Sequence, residues 1–474
     1  MPSCRSFLFS CLLLAALALS SLAQGPRRDK SDYYPLGGIG AQALPGSESG
    51  TIDIRRIHAK GPADKGKLKV GDRILKVNGN KLKGTGDPLI DAFCQQVMNA
   101  EAKKAPNKKT GILKLVVRRK GKEVKLAIAV AALGSFKGNT PAKCHRSQSI
   151  LSDALKFLKA TQDGDGKFKD VFANQNQGTA GAALAGPAFL GAGKKYKKNY
   201  QRALKYVKRH VLDDDDRMSQ GGGANWNQTN WSLSYGAILL SESLAQKRSK
   251  ETKSLLKKVV AKIQENQEQS GGWAHGPGGP NALKYLELEI MSNFCMAGMG
   301  MAERVGVVLD QDKRAKAIEY VKACTSGGGV AYSTRKGQAG HGDAGRTAGA
   351  YWAFRQLSRR GKTSKSMWNF VDREFDTLPQ GHVSPAMHIL NGALAAAVKG
   401  EKSYEKFWLL YRDYIMAQRD QDGAITSRPT KESRQLSSNS DRGNGSAFTT
   451  AHFVIAMQLS QNRYKLLDTH PAKN

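Results

Sequence analysis

A unit of two helices joined by a glycine-rich turn recurs along most of this chain and constrains its fold more than any other feature. In the clearest copy, apolar residues fall at helical spacing over residues 255–263 with lysines between them, which predicts a helix with one buried side. The turn Gln269-Ser-Gly-Gly-Trp273 follows, and residues 291–305 are then apolar or small on all sides. The second helix is therefore predicted to be buried all round.

Five further copies of the unit predict a closed ring. The predicted helix pairs span residues 150–160 and 179–192, 200–212 and 231–245, 313–324 and 346–357, 367–378 and 386–398, and 407–418 and 447–459. Repeats of this kind are typical of solenoids or closed rings. Because half-buried helices alternate with wholly apolar ones, we expect an outer layer around an inner layer. The sequence predicts a six-hairpin (α/α)6 toroid with a central funnel.

The turns of these units share a motif of glutamine, a few residues, glycine and then an aromatic or apolar residue. It occurs at Gln162…Gly166-Lys-Phe168, at Gln269-Ser-Gly-Gly-Trp273 and, more loosely, at Gln418…Gly423-Ala-Ile425. The pattern resembles the repeat of terpenoid cyclases and protein prenyltransferase β-subunits over residues 145–462. The resemblance implies the α/α toroid. It implies no reaction, because the zinc motif of the prenyltransferases is missing from the sequence.

Residues 31–133 are predicted to form a separate α+β domain. Strands are predicted at residues 51–57, 111–118 and 123–130, and a helix at residues 88–102. The stretch Gly61-Pro-Ala-Asp64, followed by Gly71-Asp-Arg-Ile-Leu-Lys-Val-Asn-Gly79, is similar to the signature of PDZ domains. This resemblance implies a small β-sandwich or barrel. The order of the two domains also resembles an uncharacterised bacterial family that joins a PDZ domain to a toroid.

A glycine-rich loop is the candidate peptide-binding site of the first domain. PDZ domains use such a loop to hold the C-terminal carboxylate of a peptide, which then adds to the sheet as a strand. By resemblance, the loop comprises Leu36, Gly37, Gly38 and Ile39, and its partner is a protein C-terminus or an internal peptide. Because Pro45-Gly-Ser-Glu-Ser-Gly50 interrupts the next strand, a docking or packing role without peptide binding is the alternative.

The N-terminal residues have the pattern of a secretory signal peptide. Arg5 precedes an apolar run at residues 7–19, and small residues precede a predicted cleavage site after residue 23. We therefore predict a signal peptide at residues 1–23 and a soluble protein exported to the periplasm or cell exterior. No later segment has the length and apolarity of a transmembrane helix. Residues 134–144 are predicted to form a linker and residues 463–474 a tail.

The chain is strongly basic, with 74 Lys and Arg against 40 Asp and Glu and a formal net charge of +34. Clusters of basic residues lie at residues 194–209 and 103–122. A polyanionic glycan is a candidate partner, and a solvated basic surface is the alternative. Nucleic acid is not favoured, because no aromatic motif is interleaved with the lysines. The histidine and cysteine spacings predict no metal site, and no cofactor motif is present.

We expect the turns before the inner helices to meet at one mouth of the ring, where positive helix ends face a ligand. The residues predicted to bind a ligand there are Trp226, Asn227, Trp231, Trp273, His275, Tyr332, His382 and Asp441. Aromatic rings with a few polar groups suit a sugar or an extended apolar chain. For each tryptophan, the alternative is a packing role between helices.

His341, Asp343 and Arg346 are the predicted catalytic residues, because one glycine-rich turn carries all three just before an inner helix. Such a trio can orient a proton transfer or clamp an anion, and the alternative is a helix cap with an adjacent ion pair. Whether the protein is an enzyme stays open. We favour an exported protein that binds or scaffolds at the cell envelope. The alternatives are an enzyme acting on polysaccharide or an isoprenoid-like substrate at the toroid mouth, and a structural envelope protein that binds anionic polymers.

Overall fold

The computed structural model describes residues 33–102, 110–168, 178–213, 217–218, 226–276, 287–335, 342–381, 384–430, 440–459, 461 and 463–469. Within these ranges a domain built on one sheet is followed by a domain built of helices. None of the described helices has both the length and the apolarity needed to cross a membrane.

The sheet of the first domain has six antiparallel strands among the described residues. They are β1 (Tyr34–Pro35), β2 (Ala41–Pro45), β3 (Ile52–Ile57), β4 (Arg73–Val77), β5 (Thr110–Arg119) and β6 (Lys122–Ala131). The strands pair in chain order, so β1 and β6 lie at opposite edges and the sheet does not close into a barrel. A 3-10 turn at Gly37–Ile39 joins β1 to β2.

Two helices accompany this sheet, α1 (Pro62–Lys65) and α2 (Gly86–Ala102). Leu89, Phe93 and Val97 are almost fully buried, and their spacing of four residues places them on one side of α2. That side packs against the sheet and forms one core with it. The predicted PDZ strands and helix are confirmed, with bounds that differ by at most two residues.

The second domain consists of helical pairs, each with an outer helix followed by an inner one. The pairs are α3 (His145–Thr161) and α4 (Gly178–Gly191), α5 (Lys197–His210) and α6 (Thr229–Gln246), α7 (Lys250–Glu265) and α8 (Glu289–Arg304), α9 (Gln311–Ala323) and α10 (Ala344–Gln356), α11 (Lys362–Arg373) and α12 (Pro385–Lys399), and α13 (Glu401–Ala417) and α15 (Ser446–Gln458). The short helix α14 (Ser440–Asn444) precedes α15.

The inner helices close a ring. Each inner helix packs against the next, and α15 packs against α4, so the described residues contain six hairpins in a closed α/α toroid, as predicted. The burial follows the sequence pattern: α15 is buried along its whole length, whereas α5 buries only Asn199, Ala203 and Val207. An apolar helix can satisfy this arrangement only if neighbours cover all its sides.

Side chains fill the centre of the ring where the sequence predicted a funnel. Tyr235, Phe294 and Trp352 meet there, and the described residues leave a cavity of about 20 Å³ lined only by apolar atoms. This is room for about one water molecule, and an apolar lining keeps such a space dry. The described part of the ring is therefore packed through its middle.

A C-terminal segment closes the end of the ring at which the inner helices finish. Glu242, near the end of α6, is fully buried and accepts backbone N–H bonds from Lys465, Leu466 and Leu467 at 2.6, 2.9 and 3.1 Å. Gln356, at the end of α10, donates to the Leu466 carbonyl at 3.1 Å. Residues 463–469, predicted as part of a tail, thus pack into the base of the ring.

Candidate active site at the start of the inner helices

Polar side chains meet where α8, α10 and α12 begin. Asn293 donates from Nδ2 to the carbonyl of Arg346 at 3.2 Å, and Asn391 donates from Nδ2 to the carbonyl of Gly345 at 3.2 Å. These two amides tie three neighbouring inner helices together at one end. The first turn of each helix also has N–H groups without partners in the helix and a partial positive charge. The first turns of these three helices are thus held together at one end of the ring.

Asp343 and Arg346 form an ion pair on this rim. Asp343 is the N-cap of α10, and its Oδ1 accepts the backbone N–H of Arg346 at 2.7 Å. Its Oδ2 lies 2.6 Å from Nη1 of Arg346, whose guanidinium lies 5.5 Å from the centre of the Tyr332 ring. Two of the three predicted catalytic residues, and one predicted ligand-binding residue, therefore lie together. The cap and ion pair weighed as the alternative are present in the same geometry.

Glu289, which the sequence analysis did not select, lies beside this pair. It is the first residue of α8 and is 0% exposed, and the amide side chain of Asn293 lies near its carboxyl group. Burial raises its pKa well above the usual range; the charge of Arg346 opposes this rise and that of Asp343 adds to it. The site thus favours a protonated carboxyl group next to a carboxylate–guanidinium pair.

The pattern used for helices explains why Glu289 was missed. The predicted helix began at residue 291, where the apolar run starts, and so left Glu289 in the preceding turn. The structure begins α8 at Glu289, whose backbone N–H donates to the Tyr332 carbonyl at 3.0 Å. A carboxylate directly in front of a wholly apolar helix is the sequence signal that could have identified it.

His388 belongs to the same group. It lies in the first turns of α12 and is 0% exposed. A β-carbon on Gly381 would lie 2.0 Å from Nδ1 of His388 and 3.2 Å from Cγ of Asp343. A side chain at position 381 would therefore collide with the imidazole of His388, and the carboxylate of Asp343 lies near the same position. His388 is not among the site residues predicted from the sequence.

Trp231 and His275 form a second pair, at the start of α6. Trp231 donates from Nε1 to Nδ1 of His275 at 2.8 Å, and the ring centres are 6.1 Å apart. Burial lowers the pKa of His275 to about 3, which keeps Nδ1 available as an acceptor. Trp231 is partly exposed and its ring centre lies 6.2 Å from that of Tyr235. Two predicted ligand-binding residues thus form one aromatic pair held by a hydrogen bond.

Trp273 and Asp441 use their side chains for contacts inside the structure, and their predicted ligand roles stay predictions. Trp273 is 0% exposed and donates from Nε1 to the carbonyl of Ile263 at 2.7 Å, so it fills a gap between helices. Asp441 is 1% exposed and accepts the N–H of Ala386 at 2.9 Å together with two serine hydroxyls, from Ser384 and Ser427. It caps α12 and is enclosed by its partners.

The remaining predicted toroid residues are placed only in part. His341 and His382 lie outside the described residues. Trp226 and Asn227 form a two-residue strand, β8 (Trp226–Asn227), paired with β7 (Arg217–Met218), and the description extends to their backbone only. Their ligand-binding role remains a prediction.

The predicted peptide-binding loop of the first domain faces the helical domain. Leu36 and Ile39 are 0% exposed. A β-carbon on Gly38 would lie 3.0 Å from Nη2 of Arg419 and 3.0 Å from Oε1 of Glu101. The loop is therefore covered by residues of the same chain.

Comparison with known families separates the same two domains. A family model described as "Domain of unknown function (DUF6288)" matches residues 147–461, and the PDZ domain model matches residues 31–118. No curated protein matches the chain.

Several solved structures are similar at low identity. An inactive variant of the alpha-1,6-mannanase GH76A of Salegentibacter sp. HEL1_6 has a TM-score of 0.48 at 9% identity and covers 66% of this chain and 98% of its own. A family 76 glycoside hydrolase from a bovine Bacteroides thetaiotaomicron strain has a TM-score of 0.47 at 9% identity, with coverages of 88% and 98%. A family 88 glycosyl hydrolase from Bacteroides vulgatus has a TM-score of 0.45 at 9% identity, with coverages of 66% and 97%.

Proposed function

The chain belongs to the family described as "Domain of unknown function (DUF6288)", and we propose that its helical domain is an enzyme that cleaves glycosidic bonds of a polysaccharide at the rim of the ring. The observation that carries this proposal is Glu289, a buried carboxylic acid beside the Asp343–Arg346 ion pair. Glycoside hydrolysis uses two carboxyl groups in different protonation states.

Glu289 is the proton donor in this proposal. Its raised pKa keeps a proton available for the oxygen of the leaving sugar, because burial disfavours the carboxylate. The charge of Arg346 opposes this rise.

Asp343 is the second carboxyl group, acting as base or nucleophile. The guanidinium of Arg346 at 2.6 Å is the partner of an ionised carboxylate, and the backbone N–H of Arg346 holds the same carboxylate in position. The burial of Arg346, at 7% exposed, fixes the pair and strengthens its field. His388 and Asp343 both lie next to Gly381.

A polysaccharide suits this rim better than an isoprenoid-like chain, the other substrate considered from the sequence. Ligand pockets for extended small molecules span about 300–1,000 Å³, whereas the cavity enclosed by the described inner helices is about 20 Å³. This cavity is therefore too small for an extended apolar chain. Trp231 and Tyr332 are partly exposed on the rim, where aromatic rings can pack against sugar faces.

The proposal includes a location outside the cytoplasm, which is based on the first residues of the sequence. The pattern at residues 1–23 predicts export, and polysaccharides of the envelope or the surroundings are then the accessible substrates. The net charge of +34 favours anionic polymers among them through long-range attraction.

Binding without turnover is the second candidate function. It is favoured by the cap geometry of Asp343, whose two oxygens are both engaged by Arg346. In that case the same rim holds a glycan and the protein acts as a scaffold at the envelope.

The test compares Glu289→Gln with the parent chain on a panel of neutral and acidic polysaccharides, with release of reducing ends as the readout. We expect Glu289→Gln to lower turnover by about 100-fold or more, because it cannot donate the proton. Glu303→Gln is the matched control and should retain full turnover. Glu303 lies near the other end of the same helix and forms an ion pair of 3.3 Å with Arg314.

Two results separate the candidate functions. Turnover that survives in Glu289→Gln would overturn the assignment of the proton donor. Saturable binding of oligosaccharides by a parent chain that cleaves none of the panel would favour the scaffold instead.

A further inference from the structure

Both edges of strand β2 are already paired within this chain. Its register with β3 runs from Ala41 opposite Ile57 to Pro45 opposite Ile52. On its other edge, β1 places Tyr34 opposite Ala43 and Pro35 opposite Gln42. A PDZ domain binds a peptide by adding it to this strand as a new neighbour. The place of that neighbour is taken here by Tyr34–Pro35.

The added strand is anchored on two sides. The hydroxyl of Tyr34, which is 2% exposed, donates to Oδ1 of Asp87 at 2.5 Å, at the start of α2. Arg442, in α14 of the helical domain, donates a hydrogen bond to the carbonyl of Tyr33. Pro35 has no N–H to offer and so ends the sheet at this edge. The strand lies between β2 and α2 and is fastened to both domains.

The predicted peptide-binding loop, next to this strand, is covered by a turn of the helical domain. Besides the approach of Arg419 to Gly38, a β-carbon on Gly40 would lie 3.1 Å from Cγ of Gln421. Asp420 contributes an ion pair, with Oδ2 2.8 Å from Nε2 of His58. Residues 419–421 therefore lie where the end of a bound peptide would need to enter.

We propose that the PDZ domain is ligated in cis: Tyr34–Pro35 fills the peptide position on β2, and residues 419–421 cover the loop. The partner of this interaction surface is the chain's own helical domain. A free C-terminal peptide must displace a tethered strand, which competes at an effective concentration of about 1 mM. The domain thus holds the turn before α14 and α15 in place and does not capture free peptides.

Fluorescence anisotropy of a labelled peptide pool with free C-terminal carboxylates tests this proposal. The reference chain begins at residue 24, and the opened chain begins at Leu36 and carries Arg419→Ala. We expect no saturable binding to the reference chain up to about 100 µM and at least tenfold tighter binding to the opened chain. A pool amidated at its C-terminus should bind neither, because the loop recognises a carboxylate.

Arg373→Ala in the reference chain is the matched control, since this arginine is 60% exposed on α11 and lies outside the first domain. It should leave peptide binding absent. Amide exchange over β3 and β5 checks that the opened chain is folded. Should truncation unfold the domain, Tyr34→Ala in the reference chain weakens the same strand and should give measurable binding.

Two outcomes overturn the proposal. One is a reference chain that binds the carboxylate pool as tightly as the opened chain. The other is an opened chain that keeps its exchange protection in β3 and β5 and still binds no peptide.

Discussion

Glu101 and Arg146 form an ion pair of 2.7 Å in which both side chains are only 2% exposed. Glu101 ends α2 of the PDZ domain, and Arg146 lies at the start of α3 in the ring. The other oxygen of Glu101 lies 2.7 Å from Nη2 of Arg419. One carboxylate thus receives two guanidinium groups from the helical domain. The two domains are joined by buried charge as well as by the linker.

Glu101→Ala is predicted to destabilise the whole chain. It leaves two guanidinium groups next to each other without their buried partner, and breaking a buried ion pair costs about 3–5 kcal/mol of unfolding free energy. Urea unfolding followed by circular dichroism measures the loss. Replacing Glu101, Arg146 and Arg419 together by Met should recover most of it, because no charge is then left unpaired. A triple variant less stable than Glu101→Ala would contradict this account.

Glu289→Gln is predicted to change how stability depends on pH. The folded state keeps the proton that the unfolded chain releases near pH 4.5, because burial raises the pKa of Glu289. The stability that this group contributes is complete below that pH and is lost as the pH rises towards the raised pKa. Gln has no proton to lose, so the variant should gain stability relative to the parent as the pH increases.

Urea titrations at pH values from about 4 to 9 measure this effect. Glu303→Gln, which replaces a partly exposed carboxylate on the same helix, should follow the parent. If the unfolding free energies of Glu289→Gln and the parent change in parallel with pH, the Glu289 pKa is not raised. A gain in stability with a loss of turnover is the expected signature of a buried catalytic acid.

Asp441→Ala is predicted to loosen the contact between α12 and α14. The carboxylate accepts the N–H of Ala386 in the first turn of α12 and the hydroxyls of Ser384 and Ser427, so its removal leaves three buried donors unsatisfied. We expect a loss of about 2–4 kcal/mol, from a helix cap plus buried polar groups. Thermal unfolding should show it. Asp413→Ala, at a 49% exposed position, is the control and should change stability by less than about 0.5 kcal/mol.

Glu242→Ala is predicted to release the C-terminal segment from the base of the ring. Three backbone N–H groups, of residues 465–467, lose their common acceptor. Hydrogen exchange of these amides should become faster by about 100-fold or more, since each hydrogen bond to a charged group contributes about 1.5–3 kcal/mol. A chain that ends at residue 469 is the control and should keep the protection. Unchanged exchange in Glu242→Ala would show that the segment is held by its side chains.

Local pattern was enough to predict the ring and the PDZ domain. Half-buried helices such as α5 alternate with wholly buried ones such as α15, and this alternation indicates which helix faces must be buried. An (α/α)6 toroid buries all of them. The predicted inner helices agree with the observed ones to within two residues at each end, and the outer helices to within six. At the rim, the pairing of Asp343 with Arg346 was also within reach, because the two residues share one helical turn.

Contacts between repeats could not be derived in this way. Trp273 and Asp441 lie in the segments between outer and inner helices, like the other rim residues, and only the neighbouring helices decide that one fills the core and the other caps α12. Glu289 becomes a candidate acid only when α10 brings Arg346 and Asp343 beside it. The burial that changes its pKa is supplied by residues far away in the chain.

The amino-acid sequence by itself determined two domains, an outer and an inner layer of helices, and a basic surface. These properties depend on the periodicity and composition of neighbouring residues, which any fold must respect. The tertiary structure decided that aromatic side chains of the described inner helices meet in the centre of the ring, that Tyr34–Pro35 occupies the edge of β2, and that Glu289 lies next to a buried ion pair. Each of these depends on which distant segments meet, and burial and electrostatics act only once they have met.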